Sequence, residues 1–159
     1  MLIATRSGKI NISKEKDTKL VAERLCKFIN LGDFILLSGN LGVGKTTFIK
    51  YIINSLQKKN RQEISEVPSP TFNITNEYQI KKILIKHYDL YRIKNKKELN
   101  NLGIQENLKK QITLIEWPEI AKKIKIKNSI SLIFKYSKNY TERYLTIISK
   151  NKKIINEFK

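Results

Sequence analysis

A glycine-rich segment, flanked by an unbroken apolar run and by a helical pattern, constrains the fold of this chain most. The segment Gly39–Thr46 matches the pattern G-x-x-x-x-G-K-[ST] at every fixed position. The run Phe34–Leu37 before it is wholly apolar, as expected for a strand buried on both faces of a parallel sheet. Apolar residues after it recur at helical spacing, at Ile49, Ile52, Ile53 and Leu56. Strand, glycine loop and helix in this order predict an α/β nucleotide-binding unit.

Each fixed position of this segment suits the binding of a triphosphate. Glycines let the backbone approach phosphate oxygens, and successive N–H groups followed by a helix N-terminus attract the anion. We expect Lys45 to contact the β and γ phosphates and the Thr46 hydroxyl to contact magnesium. The loop residues predicted to bind ATP with Mg²⁺ are Gly39, Asn40, Leu41, Gly42, Val43, Gly44, Lys45, Thr46 and Thr47.

Two acidic residues end apolar, strand-like runs, which is where a carboxylate that serves the magnesium ion is expected. Glu116 follows Ile112–Ile115, and Asp89 follows Ile83–Tyr88. We assign Glu116 to magnesium, directly or through water, and Asp89 to the positioning of water or magnesium, although the reverse assignment stays open. Lys45, Asp89 and Glu116 are therefore the predicted catalytic residues, with Thr46 and Glu116 at the metal.

Further features of the sequence bear on the chemistry. The only histidine, His87, shares a strand face with Ile83 and Ile85, which favours a packed structural role over catalysis. Trp117 either belongs to the core or shields the nucleotide pocket from water. Arg92 either stabilises phosphate charge or forms a surface ion pair. The segment 95–98 ends in Glu rather than the Asp of a guanine-selecting motif, and 89–92 lacks a switch glycine, so ATP is favoured over GTP.

The remaining pattern predicts one helix, two hairpins and a mostly helical connection. Ser13 is the expected cap of a helix that Gly32 ends. Pro68 and Pro70 exclude a regular helix there. The first hairpin pairs 72–80 with 83–88 through Lys81-Lys82, and the second pairs 129–136 with 143–149. Residues 94–110 are expected to form one or two short helices.

Length and charge narrow the class of protein further. The 159 residues, 40% of them hydrophobic, suit a single domain over 1–159. No apolar run approaches the roughly 20 residues that span a bilayer, so we expect a cytoplasmic protein with no membrane contact. The net charge of +18 indicates either contact with a polyanion such as tRNA or enrichment of Lys, Ile and Asn by AT-rich codons. A polyanion-facing surface is expected first in residues 121–159, which carry 11 basic and 2 acidic side chains.

Five sequence blocks occur in order along the chain: Gly39–Phe48, Ser69–Phe72, Asn76–Tyr78, His87–Arg92 and Leu114–Trp117. Together they resemble the TsaE family, the bacterial tRNA threonylcarbamoyladenosine biosynthesis ATPase. The resemblance runs from about Asp17-Thr18 to Arg143.

This resemblance implies a P-loop fold, with a mostly parallel central sheet flanked by helices and an antiparallel C-terminal part. It also implies a weak intrinsic ATPase that depends on two partner subunits, TsaB and TsaD, which transfer threonylcarbamoyl to the adenosine adjacent to the anticodon of tRNA. Contact with tRNA itself is possible through that complex. In such proteins ATP turnover resets or remodels the complex.

Carried over by position, Lys45 matches the family's phosphate ligand and Thr46 matches its magnesium ligand. Glu116 matches the magnesium-side acid, and Asp89 matches the Walker-B-like aspartate. Ser69–Thr71 matches a switch-like loop near the γ-phosphate, and Thr18 and Arg143 match positions that line the nucleotide. The chain departs from the family at two variable loop positions, where Asn40 replaces the usual Asp and Val43 the usual Ala. The loss of charge at residue 40 could alter partner contact or turnover.

Two other functions compete with this interpretation. A small phosphotransferase would need arginines on a mobile lid, and the five arginines of the chain do not cluster in the sequence. A nucleotide-gated RNA-binding module would bind tRNA with a steep salt dependence and without turnover.

Overall fold

An eight-stranded sheet forms the frame of the protein. The structure is a computed structural model that describes residues 5–124, 126 and 128–159. The strands are β1 Thr5–Arg6, β2 Ile10–Asn11, β3 Phe34–Ser38, β4 Thr75–Ile80, β5 Ile83–Asp89, β6 Gln111–Glu116, β7 Ser129–Tyr136 and β8 Arg143–Ser149. The α-helices are α1 Glu15–Leu25, α2 Lys45–Lys59, α3 Lys96–Asn101 and α4 Lys152–Glu157, and two 3₁₀ helices span Leu108–Lys110 and Pro118–Lys123.

The centre of the sheet is parallel and both of its sides are antiparallel. The strand order is β1-β8-β7-β3-β6-β5-β4, and β2 also pairs with β8. Strands β7, β3, β6 and β5 run parallel, whereas β4 pairs antiparallel with β5 and β8 antiparallel with β7. This arrangement confirms the predicted α/β fold with a parallel centre and an antiparallel C-terminal part.

Apolar side chains cover both faces of the central strands, because a parallel sheet is buried between two layers. On β3, Ile35 and Leu37 belong to a core cluster shared with α1 and α2, and Phe34 belongs to a second cluster on the opposite face. The second cluster includes Leu99 of α3 and Ala121. All six residues of β6 are buried, which explains why its apolar residues, Ile112, Leu114 and Ile115, do not follow a strict alternation with exposed polar ones.

The register of the parallel strands determines where the polar residues meet. Glu116 lies opposite Leu37 of β3 on one side and opposite Asp89 of β5 on the other. Both acids therefore stand at the carboxyl ends of their strands, beside the point where the chain leaves β3. Ligands of open α/β sheets bind at this edge.

The first helix differs from its prediction at both ends. Ser13 is not the cap, since Lys14 holds that position without a side-chain hydrogen bond. The Ser13 hydroxyl instead accepts a hydrogen bond from the Arg143 amide at 2.9 Å, which joins the N-terminal segment to β8. Helix α1 ends at Leu25, and Gly32 lies in a later turn, where the Asp33 carboxylate accepts from the Asn30 amide.

The two predicted hairpins are confirmed, the second at both of its bounds. The first is shorter than expected, because β4 begins at Thr75 and Phe72 lies in the preceding turn with 86% of its surface exposed. Strands β1 and β2 and helix α4 had no counterpart in the prediction. Lys125 and Lys127, part of the basic C-terminal quarter, lie outside the described residues. Across the described part of the chain, no helix combines the length and apolarity needed to cross a bilayer.

Candidate functional site

The glycine-rich loop Gly39–Thr47 runs from the end of β3 into the first turn of α2, and two of its glycines are required by geometry. Gly39 has a φ of +146°, and a Cβ at this position would lie 2.6 Å from the Phe134 carbonyl oxygen. Gly44 has a φ of +109° and directly precedes Lys45, the first residue of α2. The first amides of α2 have no partner within the helix and therefore face the concave side of the loop with partial positive charge. Such a cradle suits an anion.

Lys45 lies inside this loop, with only 4% of its surface exposed. Its Nζ donates to the carbonyl oxygens of Gly39 and Asn40 at 2.8 and 2.9 Å. Burial lowers the pKa of the Lys45 ammonium from its ordinary value, and the nearby carboxylates of Glu116 and Asp89 oppose that shift. The ammonium thus stands at the loop, held by backbone dipoles and next to two acids.

Trp117 covers Lys45. The Lys45 Nζ lies 4.0 Å from the centroid of the indole ring, a cation–π contact. Trp117 has a φ of +56°, which is uncommon for a bulky residue, and its amide donates to the Leu37 carbonyl at 3.1 Å. The ring packs against the second core cluster as well, which confirms the core role considered for Trp117, and it also lines the cavity described below. Shielding of a nucleotide from water stays a prediction.

Glu116 contacts the start of α2. Its carboxylate oxygens accept from the Thr46 hydroxyl at 2.8 and 3.1 Å. The side chain is buried, and its Oε1 also lies 2.9 Å from His87 Nε2. The structure therefore brings together the two residues predicted to serve a metal ion, Thr46 and Glu116.

Asp89 organises a different segment. Its Oδ2 accepts from the Thr71 hydroxyl at 2.7 Å and from the Ser69 hydroxyl at 3.5 Å. Its Oδ1 accepts from the Tyr91 amide at 3.0 Å. Asp89 thus fixes the Ser69–Thr71 loop, which the resemblance identified as switch-like, against the end of β5.

These segments enclose a cavity of about 170 Å³. Loop amides, one ammonium, four hydroxyl-bearing residues from two segments and two carboxylates converge there. The residues that line it are Leu41, Gly42, Gly44, Lys45, Thr46, Thr47, Ser69, Thr71, Asp89, Glu116 and Trp117. A different cleft of about 310 Å³ lies at the amino ends of β3 and β7, away from the glycine-rich loop.

Five predicted nucleotide contacts are not part of this lining: Gly39, Asn40 and Val43 within the glycine-rich segment, and Thr18 and Arg143 outside it. The Thr18 hydroxyl donates to the Ile12 carbonyl at 3.0 Å, and the Arg143 carbonyl accepts from the Ile12 amide at 2.9 Å. Thr18 and Arg143 are therefore tied to the same N-terminal segment, and their contact with a nucleotide stays a prediction. Arg92 stacks on Phe72, with the guanidinium carbon 5.9 Å from the ring centroid.

The contact between His87 and Glu116 was missed from the sequence. The strand alternation used for His87 contains the signal, because His87 and Asp89 are two residues apart on β5 and so share a face. The partner on β6 could not be identified without the register of the two strands.

Comparison with known proteins identifies a family whose members resemble this chain. A family model described as threonylcarbamoyl adenosine biosynthesis protein TsaE matches residues 12–145. The tRNA threonylcarbamoyladenosine biosynthesis protein TsaE of Rickettsia felis is 40% identical over 111 residues, which are 70% of this chain and 63% of that protein. The protein of the same name from Aquifex aeolicus is 36% identical over 108 residues, which are 68% of this chain and 74% of that protein.

A solved structure shares the fold. The crystal structure of Bacillus subtilis YdiB superposes with a TM-score of 0.74 and covers 98% of this chain and 93% of its own. The sequences are 23% identical in that superposition, so this likeness concerns architecture alone.

Proposed function

The chain belongs to the TsaE family of tRNA threonylcarbamoyladenosine biosynthesis proteins, and on that premise we propose that it binds ATP with Mg²⁺ in the cavity beside Gly39–Thr47 and hydrolyses the nucleotide slowly. The observation that carries the proposal is the hydrogen bond of the Thr46 hydroxyl to Glu116 at 2.8 Å, at the first turn of α2. It places a hydroxyl oxygen and a carboxylate beside an anion cradle, which is the donor set that a magnesium triphosphate requires.

The residues present fit the magnesium ion. Thr46 donates its only hydroxyl hydrogen to Glu116, so the lone pairs of its oxygen remain free for a cation. Mg²⁺ prefers oxygen ligands, keeps several waters and is held through few carboxylates together with substrate phosphates. Thr46 would contact the ion. Glu116 would hold the Thr46 hydroxyl and one of the water molecules bound to the ion. The ion supplies charge neutralisation at the phosphate oxygens.

The loop and Lys45 fit the phosphates. Backbone amides of the segment Leu41–Thr46 would supply the cradle, and Lys45 would supply a positive charge. In the structure Lys45 donates to two loop carbonyls, which are weaker acceptors than phosphate oxygens. We therefore expect the ammonium to transfer its hydrogen bonds to the β and γ phosphates while it remains under the Trp117 ring.

Asp89 serves hydrolysis through the Ser69–Thr71 loop. Because its carboxylate accepts from Thr71 and from the Tyr91 amide, its orientation is fixed at the cavity wall. From there it can order a water molecule or hold the loop against the terminal phosphate. This assignment explains why two acids at neighbouring strand ends have different partners, Glu116 at Thr46 and Asp89 at Thr71.

Partner subunits of the TsaB and TsaD type are proposed to complete the site. Large exposed apolar side chains lie on or next to the segments that line the cavity. Leu41, a lining residue, is 72% exposed, Phe72, which follows Thr71, is 86% exposed, and Tyr91, whose amide donates to Asp89, is 56% exposed. Exposed apolar groups beside a polar cavity are suited to a protein interface. The role proposed for the chain is ATP turnover that resets or remodels the transferase complex acting on tRNA, in the cytoplasm.

The test is ATP hydrolysis by the purified chain, measured alone and with TsaB- and TsaD-type subunits. We expect a slow rate that the subunits increase, and loss of that rate in Lys45→Ala and Glu116→Ala. A rate unchanged by the subunits would refute the partner dependence. Transfer of phosphate to a small hydroxyl acceptor would favour a kinase, and salt-sensitive tRNA binding without turnover would favour an RNA-binding module.

A further inference from the structure

His87 is the most deeply buried titratable residue that the proposed chemistry does not use. Its side chain has 0% exposure, in β5, beside a Glu116 side chain that is 4% exposed. Its Nε2 lies 2.9 Å from Glu116 Oε1, the same oxygen that accepts from the Thr46 hydroxyl at 2.8 Å. Its other ring nitrogen, Nδ1, is buried and has no hydrogen-bond partner among the residues that the structure describes.

The direction of this hydrogen bond follows from its acceptor. An ionised carboxylate only accepts, so Nε2 carries the hydrogen and donates it to Glu116. One carboxylate thus receives two hydrogen bonds, from the Thr46 hydroxyl on α2 and from the His87 imidazole on β5. The two donors come from different elements and meet at one oxygen, which fixes both the position and the rotation of the carboxylate.

The fixed orientation of the Glu116 carboxylate matters because a positively charged side chain, Lys45, lies nearby. Lys45 shares the cavity with Glu116, and the Glu116 charge raises the pKa of Lys45 against the effect of burial. Nevertheless, no ion pair within 4.0 Å joins these two side chains in the described structure. The hydrogen bonds from His87 and Thr46 direct Glu116 toward the start of α2, and leave Lys45 to the loop carbonyls.

We propose that His87 is a positioning residue that acts through Glu116: its Nε2–H holds the carboxylate at Thr46, so that the Thr46 hydroxyl presents its lone pairs to the magnesium ion. This inference rests on the proposed binding of Mg²⁺ with ATP. It assigns a specific role to a histidine for which strand alternation alone favours packing. Partners of this kind, which orient a ligand without touching the metal, commonly change metal affinity or activity by about 10–100-fold when removed.

Two substitutions of equal length separate positioning from packing. Glutamine in His87→Gln keeps an N–H donor at about the reach of Nε2, and methionine in His87→Met has similar size without a donor. Binding of a non-hydrolysable ATP analogue is measured by calorimetry across a magnesium titration and again in excess chelator, with thermal unfolding of each variant.

We expect His87→Met to raise the magnesium concentration needed for half-saturation by about tenfold or more, and His87→Gln to stay within about threefold of the unsubstituted protein. In chelator, all three proteins should bind the analogue alike. Equal magnesium requirements in the two variants would overturn the inference, as would a loss of affinity in His87→Met that is as large in chelator as in magnesium, because both results indicate packing.

Two further measurements keep the test decisive. In a Glu116→Gln background, His87→Met should change the magnesium requirement no further, since the positioned group is already altered; an undiminished tenfold effect would refute action through Glu116. If His87→Met does not fold, His87→Asn replaces it, because its shorter donor does not reach Glu116 and the same tenfold rise is expected. Should the unsubstituted protein itself show no magnesium-dependent binding, the proposed function fails with the inference; a failure confined to the His87 variants overturns the inference alone.

Discussion

Replacing Gly39 by alanine tests the geometry on which the glycine-rich loop depends. An added Cβ would lie 2.6 Å from the Phe134 carbonyl oxygen and 2.9 Å from the Phe134 Cβ, and the backbone φ there is +146°. The first contact is with backbone of the neighbouring strand β7, which cannot rotate away. Overpacking of this kind costs about 1–3 kcal/mol, and an unfavourable φ costs about 1–3 kcal/mol more. We therefore expect Gly39→Ala to destabilise the protein by about 2–6 kcal/mol.

Two other glycines provide matched controls in urea or guanidinium denaturation. At Gly44 a Cβ would meet nothing within 4 Å but φ is +109°, so Gly44→Ala should show the conformational cost alone, about 1–3 kcal/mol. Gly8 also has open space and no unusual φ, so Gly8→Ala should be neutral or stabilising by up to about 1 kcal/mol. If Gly39→Ala and Gly8→Ala unfolded at the same denaturant concentration, the inferred close approach of the loop to β7 would be refuted.

Three further predictions concern the cavity and the core. Thr46→Val should raise the magnesium requirement for nucleotide binding by about tenfold whereas Thr46→Ser should not, as measured by calorimetry; equal behaviour would exclude the hydroxyl as a ligand. Asp89→Asn should slow hydrolysis by about tenfold with analogue affinity kept within about threefold. One of the two acceptor oxygens becomes a donor, so the side chain cannot accept from the Thr71 hydroxyl and from the Tyr91 amide at the same time. Burial raises the pKa of the Cys26 thiol from 9.0 to about 12. The free energy of unfolding should therefore not depend on this thiol below pH 9 and should fall as the pH rises toward 12, because only the unfolded thiol ionises in that range. The thiol should also resist alkylation at about pH 8 until the protein unfolds, and rapid labelling of the native protein would contradict this.

The sequence predicted those parts of the fold in which local pattern and burial agree. Phe34–Leu37, Gly39–Thr46 and the C-terminal hairpin were recognisable because an apolar run, a glycine motif and strand alternation each act over a few residues. Strands β1 and β2 were not, since each is two residues long and exists only through pairing with β8.

The errors at Ser13 and Gly32 have a tertiary cause. The Ser13 hydroxyl has a partner 130 residues away, and a capping pattern read from neighbouring residues cannot include it. Gly32 lies beside β6, where its amide donates to the Gln111 carbonyl at 2.8 Å, so its place is determined by the sheet rather than by the end of α1.

The contacts of the candidate site likewise divide into those set by local sequence and those set by tertiary structure. The partners within one segment, such as Lys45 and the loop carbonyls, could be anticipated from the motif. That Glu116 contacts Thr46 whereas Asp89 contacts Thr71 could not be anticipated, because it depends on which strand lies beside α2 and which beside the Ser69–Thr71 loop. The register of β5 against β6 supplies that information and brings His87 to Glu116 as well.

Calorimetric titration of the purified chain with a non-hydrolysable ATP analogue, in magnesium and in the presence of its TsaB- and TsaD-type partners, tests the central claim most directly. We predict saturable uptake of one nucleotide per chain that is lost in Lys45→Ala. Heat of binding that is absent from the unsubstituted protein, or equal in the two proteins, would contradict the assignment of Gly39–Thr47 as a nucleotide site.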